Sequence, residues 1–207
     1  ANYYYGVRLV GERKYPEADK FLQNAGKSTY DAELSNSARY WLGESKFRQE
    51  QYGAAVEAFK SYNRGVGAAS HPDKDMATYG LGWANFKEKK YTSALTEFDK
   101  FIKNADRSME PQYVVDAYLR AGDCQFLKKN YSKADPYYKK VLEFNYGRRD
   151  YANYQLAESQ YRQGQYQASV NQFGQMITRY TRSELRDNAL DRSSEIYATW
   201  LKDYSKA

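Results

Sequence analysis

A small residue, a tyrosine nine positions on, a second small residue three beyond it and a large apolar or aromatic residue four further recur five times along this chain. The copies are Gly6/Tyr15/Ala18/Leu22, Gly43/Tyr52/Ala55/Phe59, Gly82/Tyr91/Ala94/Phe98, Gly122/Tyr131/Ala134/Tyr138 and Ala157/Tyr166/Ser169/Phe173. Their tyrosines lie 37, 39, 40 and 35 residues apart, the period of stacked helical hairpins rather than of a globular domain. A sixth copy begins at Tyr204 and Ala207. One hairpin cannot cover its own apolar face, so adjacent hairpins must cover each other.

Within each unit the pattern reads as helix A, short polar turn, helix B. In the second, Ala38, Leu42, Gly43 and Phe47 mark one face of helix A, Gln49–Gln51 makes the turn, and Tyr52, Ala55, Val56 and Phe59 continue as helix B. Lys89–Lys90 and Lys128–Lys129 precede the tyrosines of later copies and read as helix stops that oppose the negative end of the helix dipole. Repeat boundaries fall at about 1–30, 31–72, 73–110, 111–147, 148–182 and a partial 183–207, all within one domain. The two long links are Gly65–Pro72, where two glycines and an X-Pro step forbid continuous helix, and Asp106–Pro111.

Several functions are disfavoured by what the sequence holds. A net charge of +6 comes from 32 basic residues interspersed with 26 acidic ones, without the concentrated basic face that nucleic-acid binding uses. The lone Cys124 cannot form an intramolecular disulfide, and His71 lacks a second histidine or a cysteine to complete a metal site, so no metal, cofactor or catalytic residue is assigned. Carboxylate pairs such as Glu17/Asp19 and Asp73/Asp75 read as solvated helix-start charges. No apolar run reaches the ~18 residues of a membrane span, and the opening residues read as repeat helix rather than leader peptide. The unfinished sixth copy implies either a longer natural chain or self-association through the C-terminal edge.

With these residues in view the chain resembles the tetratricopeptide repeat (TPR) proteins over essentially its whole length. The stretch Ala38–Tyr52, followed by Ala55 and Phe59, is similar to the repeats of bacterial Tol-Pal-associated periplasmic coordinators and, more loosely, of outer-membrane assembly lipoproteins. The tryptophan that opens many repeats of this family is replaced by Asn2, Arg39, Thr78, Tyr118 and Asn153, with Tyr3, Tyr40, Tyr79 and Tyr154 one position later. The resemblance implies an all-α, right-handed superhelical solenoid of helix-turn-helix repeats, no enzymatic activity, a protein or peptide partner, and a setting in the bacterial periplasm or cell envelope. The lysines and asparagines with which some relatives clamp a C-terminal carboxylate have no counterparts here.

The candidate groove lies on the A helices. Three before and four after each small residue stand Tyr40/Phe47, Tyr79/Phe86 and Tyr154/Tyr161, a stripe that reads either as interhelical core or as a groove. One and five after it stand Glu44/Arg48, Trp83/Lys87 and Glu158/Arg162; the first and last of these pairs have the spacing of helical ion pairs. Trp83 breaks that series, as a covered residue or as a contact residue. The expected peptide-binding set is therefore Tyr40, Glu44, Phe47, Arg48, Tyr79, Trp83, Lys87, Tyr154, Glu158 and Arg162. A rival reading uses tyrosine stacking and the positive charge to recognise an anionic polymer or glycan.

Overall fold

A computed structural model describes residues 1–105 and 109–206. Eleven α-helices occur among them and no strand: α1 (Asn2–Gly11), α2 (Tyr15–Gly26), α3 (Ala32–Arg48), α4 (Tyr52–Asn63), α5 (Lys74–Lys87), α6 (Tyr91–Asn104), α7 (Pro111–Leu127), α8 (Tyr131–Glu143), α9 (Arg149–Arg162), α10 (Tyr166–Arg179) and α11 (Arg186–Ile196). A π-helical turn, Tyr197–Leu201, prolongs α11. All five signature tyrosines open a helix, as the repeat demands. The Gly65–Pro72 link carries one 3-10 turn, Ala68–Ser70. Part of the second link and Ala207 of the sixth copy lie outside the described residues.

The helices form two compact units, Ala1–Ala105 and Asp106–Ala207. In the first, α1/α2, α3/α4 and α5/α6 are hairpins, α2 packs on α3, α4 on α5, and the A helix α3 touches both α1 and α5. In the second, α7/α8 and α9/α10 are hairpins, α8 packs on α9, and α11 lies on α10.

Packing explains the signature. The large residue of each copy turns its side chain into the space that the small residue leaves on helix A. A Cβ at Gly43 would stand 2.6 Å from the Phe59 ring and one at Gly82 2.9 Å from the Phe98 ring, so these positions admit no side chain without movement. Phe59 and Phe98 are completely buried. Phe59 also meets Gly80 of the next A helix, so a single ring ties one hairpin to its successor. The aromatic four after the small residue closes the tip: Phe47 packs edge-on against Tyr52 at 5.3 Å, Phe86 on Tyr91 at 5.7 Å and Phe126 on Tyr131 at 5.1 Å.

The A-to-B turns share one backbone device. Arg13, Glu50, Lys89, Lys129 and Gly164, each two before its tyrosine, have φ between 58° and 74°. The amide after each donates back across the last turn, as Gln51 does to the Lys46 carbonyl at 3.0 Å and Lys90 to Asn85 at 2.9 Å, which is the Schellman cap. The left-handed residue, rather than a cation opposing the dipole, is what stops helix A.

Two of the contacts between successive hairpins are polar clamps that share one aspartate–serine–glutamine arrangement. Asp19 on α2 accepts from the Ser45 hydroxyl at 2.7 Å and from the Gln49 amide at 2.9 Å on α3, and Lys46 reaches its outer oxygen at 2.8 Å. Asp135 on α8 accepts from Ser159 and Gln163 of α9 in the same way. Both aspartates are buried. Asp19 is thus not the solvated helix-start charge expected from its position, because its partners lie 26 and 30 residues away. Between α4 and α5 the equivalent positions are apolar, Val56 and Ala84, in one core cluster.

Candidate functional site

The expected binding residues divide between the two units: Tyr40, Glu44, Phe47, Arg48, Tyr79, Trp83 and Lys87 in the first, Tyr154, Glu158 and Arg162 in the second. Of the two readings left open for the aromatic stripe, contact geometry favours core for the tyrosines. Tyr40 is 9% exposed and packs 6.2 Å from the Phe59 ring. Tyr79 lies against Phe98 and Phe101, and Tyr154 against Phe173 at 5.5 Å, in each case on helix B of the same hairpin. Phe47 belongs to the hairpin tip.

The residues one and five after the small residue remain on the A-helix surface of the first unit. Glu44 and Arg48 form the expected helical pair, but only at 3.9 Å. Burial pushes the Glu44 carboxyl above the usual carboxylate range, and Arg48 counteracts this. On α5 the Trp83 ring is half-buried, edge-on to Phe86 at 5.7 Å and to Phe98 at 6.3 Å. The Lys87 ammonium sits 5.9 Å from both the Trp83 and the Tyr52 ring centroids. Tyr52, read from the sequence only as a wedge beside the turn, thereby joins this face. α3 and α5 touch, so the acidic-basic pair and the aromatic-cation group lie on neighbouring helices.

The second unit departs from the expected i,i+4 pair. Glu158 is buried and accepts from Arg192 of α11 at 2.7 Å, while the Arg162 guanidinium lies over the Tyr161 ring at 5.7 Å. A partner 34 residues away outweighs the one four away because α11, packed on α10, carries the Arg192 guanidinium onto the carboxylate. Tyr154, Asn188, Asp191, Arg192 and Glu195 line a cleft of about 300 Å³. Burial, reinforced by the Glu158 charge, raises the Tyr154 hydroxyl's pKa. The residues of α11 carry no sign in the sequence that they complete this cleft.

A third polar centre lies on α7. Asp123 accepts from Tyr138 and Tyr151, both at 3.0 Å, and from Arg120 at 2.6 Å. Burial pushes this carboxyl up in spite of its three donors, and burial together with the Asp123 charge pushes the Tyr151 hydroxyl up to about 12. All its hydrogen-bonding partners come from this chain, so it fixes α7, α8 and α9 to one another.

The structure also joins three residues that the sequence left apart. Ser37 donates to Asp73 at 3.0 Å and lies 3.3 Å from His71 Nε2. The backbone amide of Asp73 donates to His71 Nδ1, so a neutral ring carries its hydrogen on Nε2, which faces the Glu33 carbonyl at 3.2 Å. In that tautomer Nε2 cannot take the Ser37 proton, and the group ties the Gly65–Pro72 link to α3 rather than forming a nucleophile. Among the described residues no cluster of His, Cys, Asp and Glu could hold a metal ion, and no helix is long and apolar enough to cross a membrane.

Family models of the tetratricopeptide repeat match residues 43–108, 115–146 and 151–183. No curated protein matches the sequence. Among solved structures, YrrB, described as a TPR protein with an unusual peptide-binding site, is 18% identical, with 91% of this chain and 89% of that one covered at a TM-score of 0.73. A tetratricopeptide repeat protein from Parabacteroides merdae is 17% identical over 99% of this chain and 74% of that one, with a TM-score of 0.71. The C-terminal part of a TPR repeat-containing protein from Cytophaga hutchinsonii is 16% identical over 95% and 79%, with a TM-score of 0.66. At such identities the likeness is one of fold.

Proposed function

We propose, for a chain that belongs to the tetratricopeptide repeat family, a role as a non-enzymatic scaffold that binds a peptide segment of a protein partner on its A helices. The observation that supports this reading is on the touching helices α3 and α5, where the Trp83 ring is only half-buried with Lys87 near it, and Glu44 and Arg48 lie on the neighbouring helix. Tyr40, Phe47 and Tyr79 support that face from beneath, and a desolvated tryptophan with a cation above it is the kind of anchor that dominates peptide interfaces. In the second unit Tyr154 lines the cleft beside α11, where Arg192 already takes Glu158, and Arg162 lies over Tyr161. Arrays of this family are typically interaction scaffolds, and YrrB is described as having a peptide-binding site.

The bacterial envelope setting rests on the resemblance of Ala38–Tyr52 alone. Self-association through the C-terminal edge is supported by Leu190, Trp200 and Tyr204, all exposed there, with the Trp200 ring already stacked on Tyr166 at 4.6 Å.

The test is a peptide library displayed on phage and panned on the immobilised chain, followed by titration of the selected peptides. Trp83→Ala is expected to weaken them by ~2 kcal/mol or more, whereas Tyr30→Ala, which removes a ring that is 99% exposed in the α2–α3 link, is expected to leave them unchanged. Full affinity in Trp83→Ala together with a lower melting temperature would make Trp83 a core residue and remove the anchor from the reading.

A further inference from the structure

A further polar cleft lies where the α8–α9 and α10–α11 links meet within the second unit, at the start of α9. Gly147, Arg149, Asp150, Arg179, Arg182 and Ser183 line most of a cleft of about 410 Å³. Three arginines line it against one carboxylate. That carboxylate is already engaged: Asp150 accepts from the Ser183 hydroxyl at 2.7 Å and lies 3.6 Å from Arg148. Burial alone would raise its pKa, but these hydrogen bonds and Arg148 hold it below the ordinary carboxylate value, so it stays ionised. Among the described residues no acidic side chain forms an ion pair with Arg149, Arg179 or Arg182.

Arg149 adds an independent sign. Its terminal nitrogens reach Asn145 at 3.4 Å and the Leu142 carbonyl at 3.2 Å, which fixes the side chain, while its Nε is buried with no acceptor. A buried guanidinium N–H without an acceptor is a costly arrangement, so this side chain is held in place at the cleft by the link around it. The cleft is several times the size of one phosphate, and the ionised Asp150 in its wall opposes a dianion more than a carboxylate. Arginine forks match carboxylates two bonds at a time.

We propose that this cleft is a second binding site, one that takes an acidic peptide segment with at least two neighbouring carboxylates. It does not depend on the A-helix reading, since it uses other residues: Arg149 and Asp150 at the very start of α9, and Arg179, Arg182 and Ser183 at and beyond the end of α10.

The test uses the full chain and a fluorescein-labelled hexaglutamate peptide, followed by anisotropy at low and high salt. Binding that weakens with ionic strength is expected, and Arg179→Gln/Arg182→Gln should weaken it by about tenfold or more. Lys133→Gln/Lys139→Gln removes the same charge from exposed positions of the same unit and should leave affinity within about twofold, the reduction in net charge alone being a long-range, screened effect. Arg149→Gln should also weaken binding. If that variant fails to fold, the exposed Arg179/Arg182 pair still decides the matter. Equal loss in both double variants would reduce the effect to net charge and overturn the site. So would undiminished binding in Arg179→Gln/Arg182→Gln, or binding of inorganic pyrophosphate at the cleft with none of hexaglutamate.

Discussion

Glu44 shows how much a repeat position decides about a single side chain. Its counterpart Glu158 is as much a carboxylate, yet Arg192 meets Glu158 at 2.7 Å while Arg48 stays 3.9 Å from Glu44. With so weak a partner, burial dominates and raises the Glu44 pKa. A carboxyl raised in the folded state takes up its proton before the unfolded chain does, so folding gains stability from it as pH falls through the window just above the ordinary carboxylate value. That gain is lost again as pH rises above the raised value. Glu44→Gln is therefore expected to be more stable than wild type near neutral pH, with the difference shrinking to nothing below the ordinary carboxylate value. Urea unfolding at a series of pH values checks this, and a difference that grows on acidification would contradict it.

The hairpin turns show what a sequence can and cannot reveal about an element. Gly43, Tyr52 and Phe59 were legible because their sizes are the contact: ring, wedge and gap have to recur wherever helices lie this close. The left-handed residue was not legible, since lysine, arginine and glutamate hold that conformation at Lys89, Arg13 and Glu50 through the Schellman bonds around them, and only Gly164 advertises it. A non-glycine residue there bears ~1–2 kcal/mol of strain, part of which glycine would give back as greater freedom in the unfolded chain. Lys89→Gly is accordingly expected to stabilise the first unit by about 0.5–1 kcal/mol in thermal unfolding, in contrast to the usual penalty for glycine. The candidate site was half legible for a similar reason. Trp83 stood out against the acidic residues at equivalent positions, whereas the cleft beside α11 and the arginine cleft are assembled from residues tens of positions apart, which no local spacing connects.

The first unit comprises three whole hairpins with their own core clusters. Three repeats are enough for mutual coverage in arrays of this kind. The fragment 1–105 is expected to show a helical far-UV circular dichroism spectrum and a cooperative melt when expressed alone; a featureless, non-cooperative melt would show that the three hairpins do not suffice. The clamps have a consequence for how such a molecule could be recombined. A hairpin whose second helix carries the Asp19 or Asp135 arrangement near its start is matched by one that offers serine and, four residues on, glutamine, whereas the Val56 version is matched by an alanine. Joining α1–α2 directly to α9–α10 would reproduce a grammatical junction. Joining it to α5–α6 would seal Asp19 against Ala84 and Glu88 with no donor from either. The chain is therefore written in two dialects, and only cuts that respect them leave a readable protein.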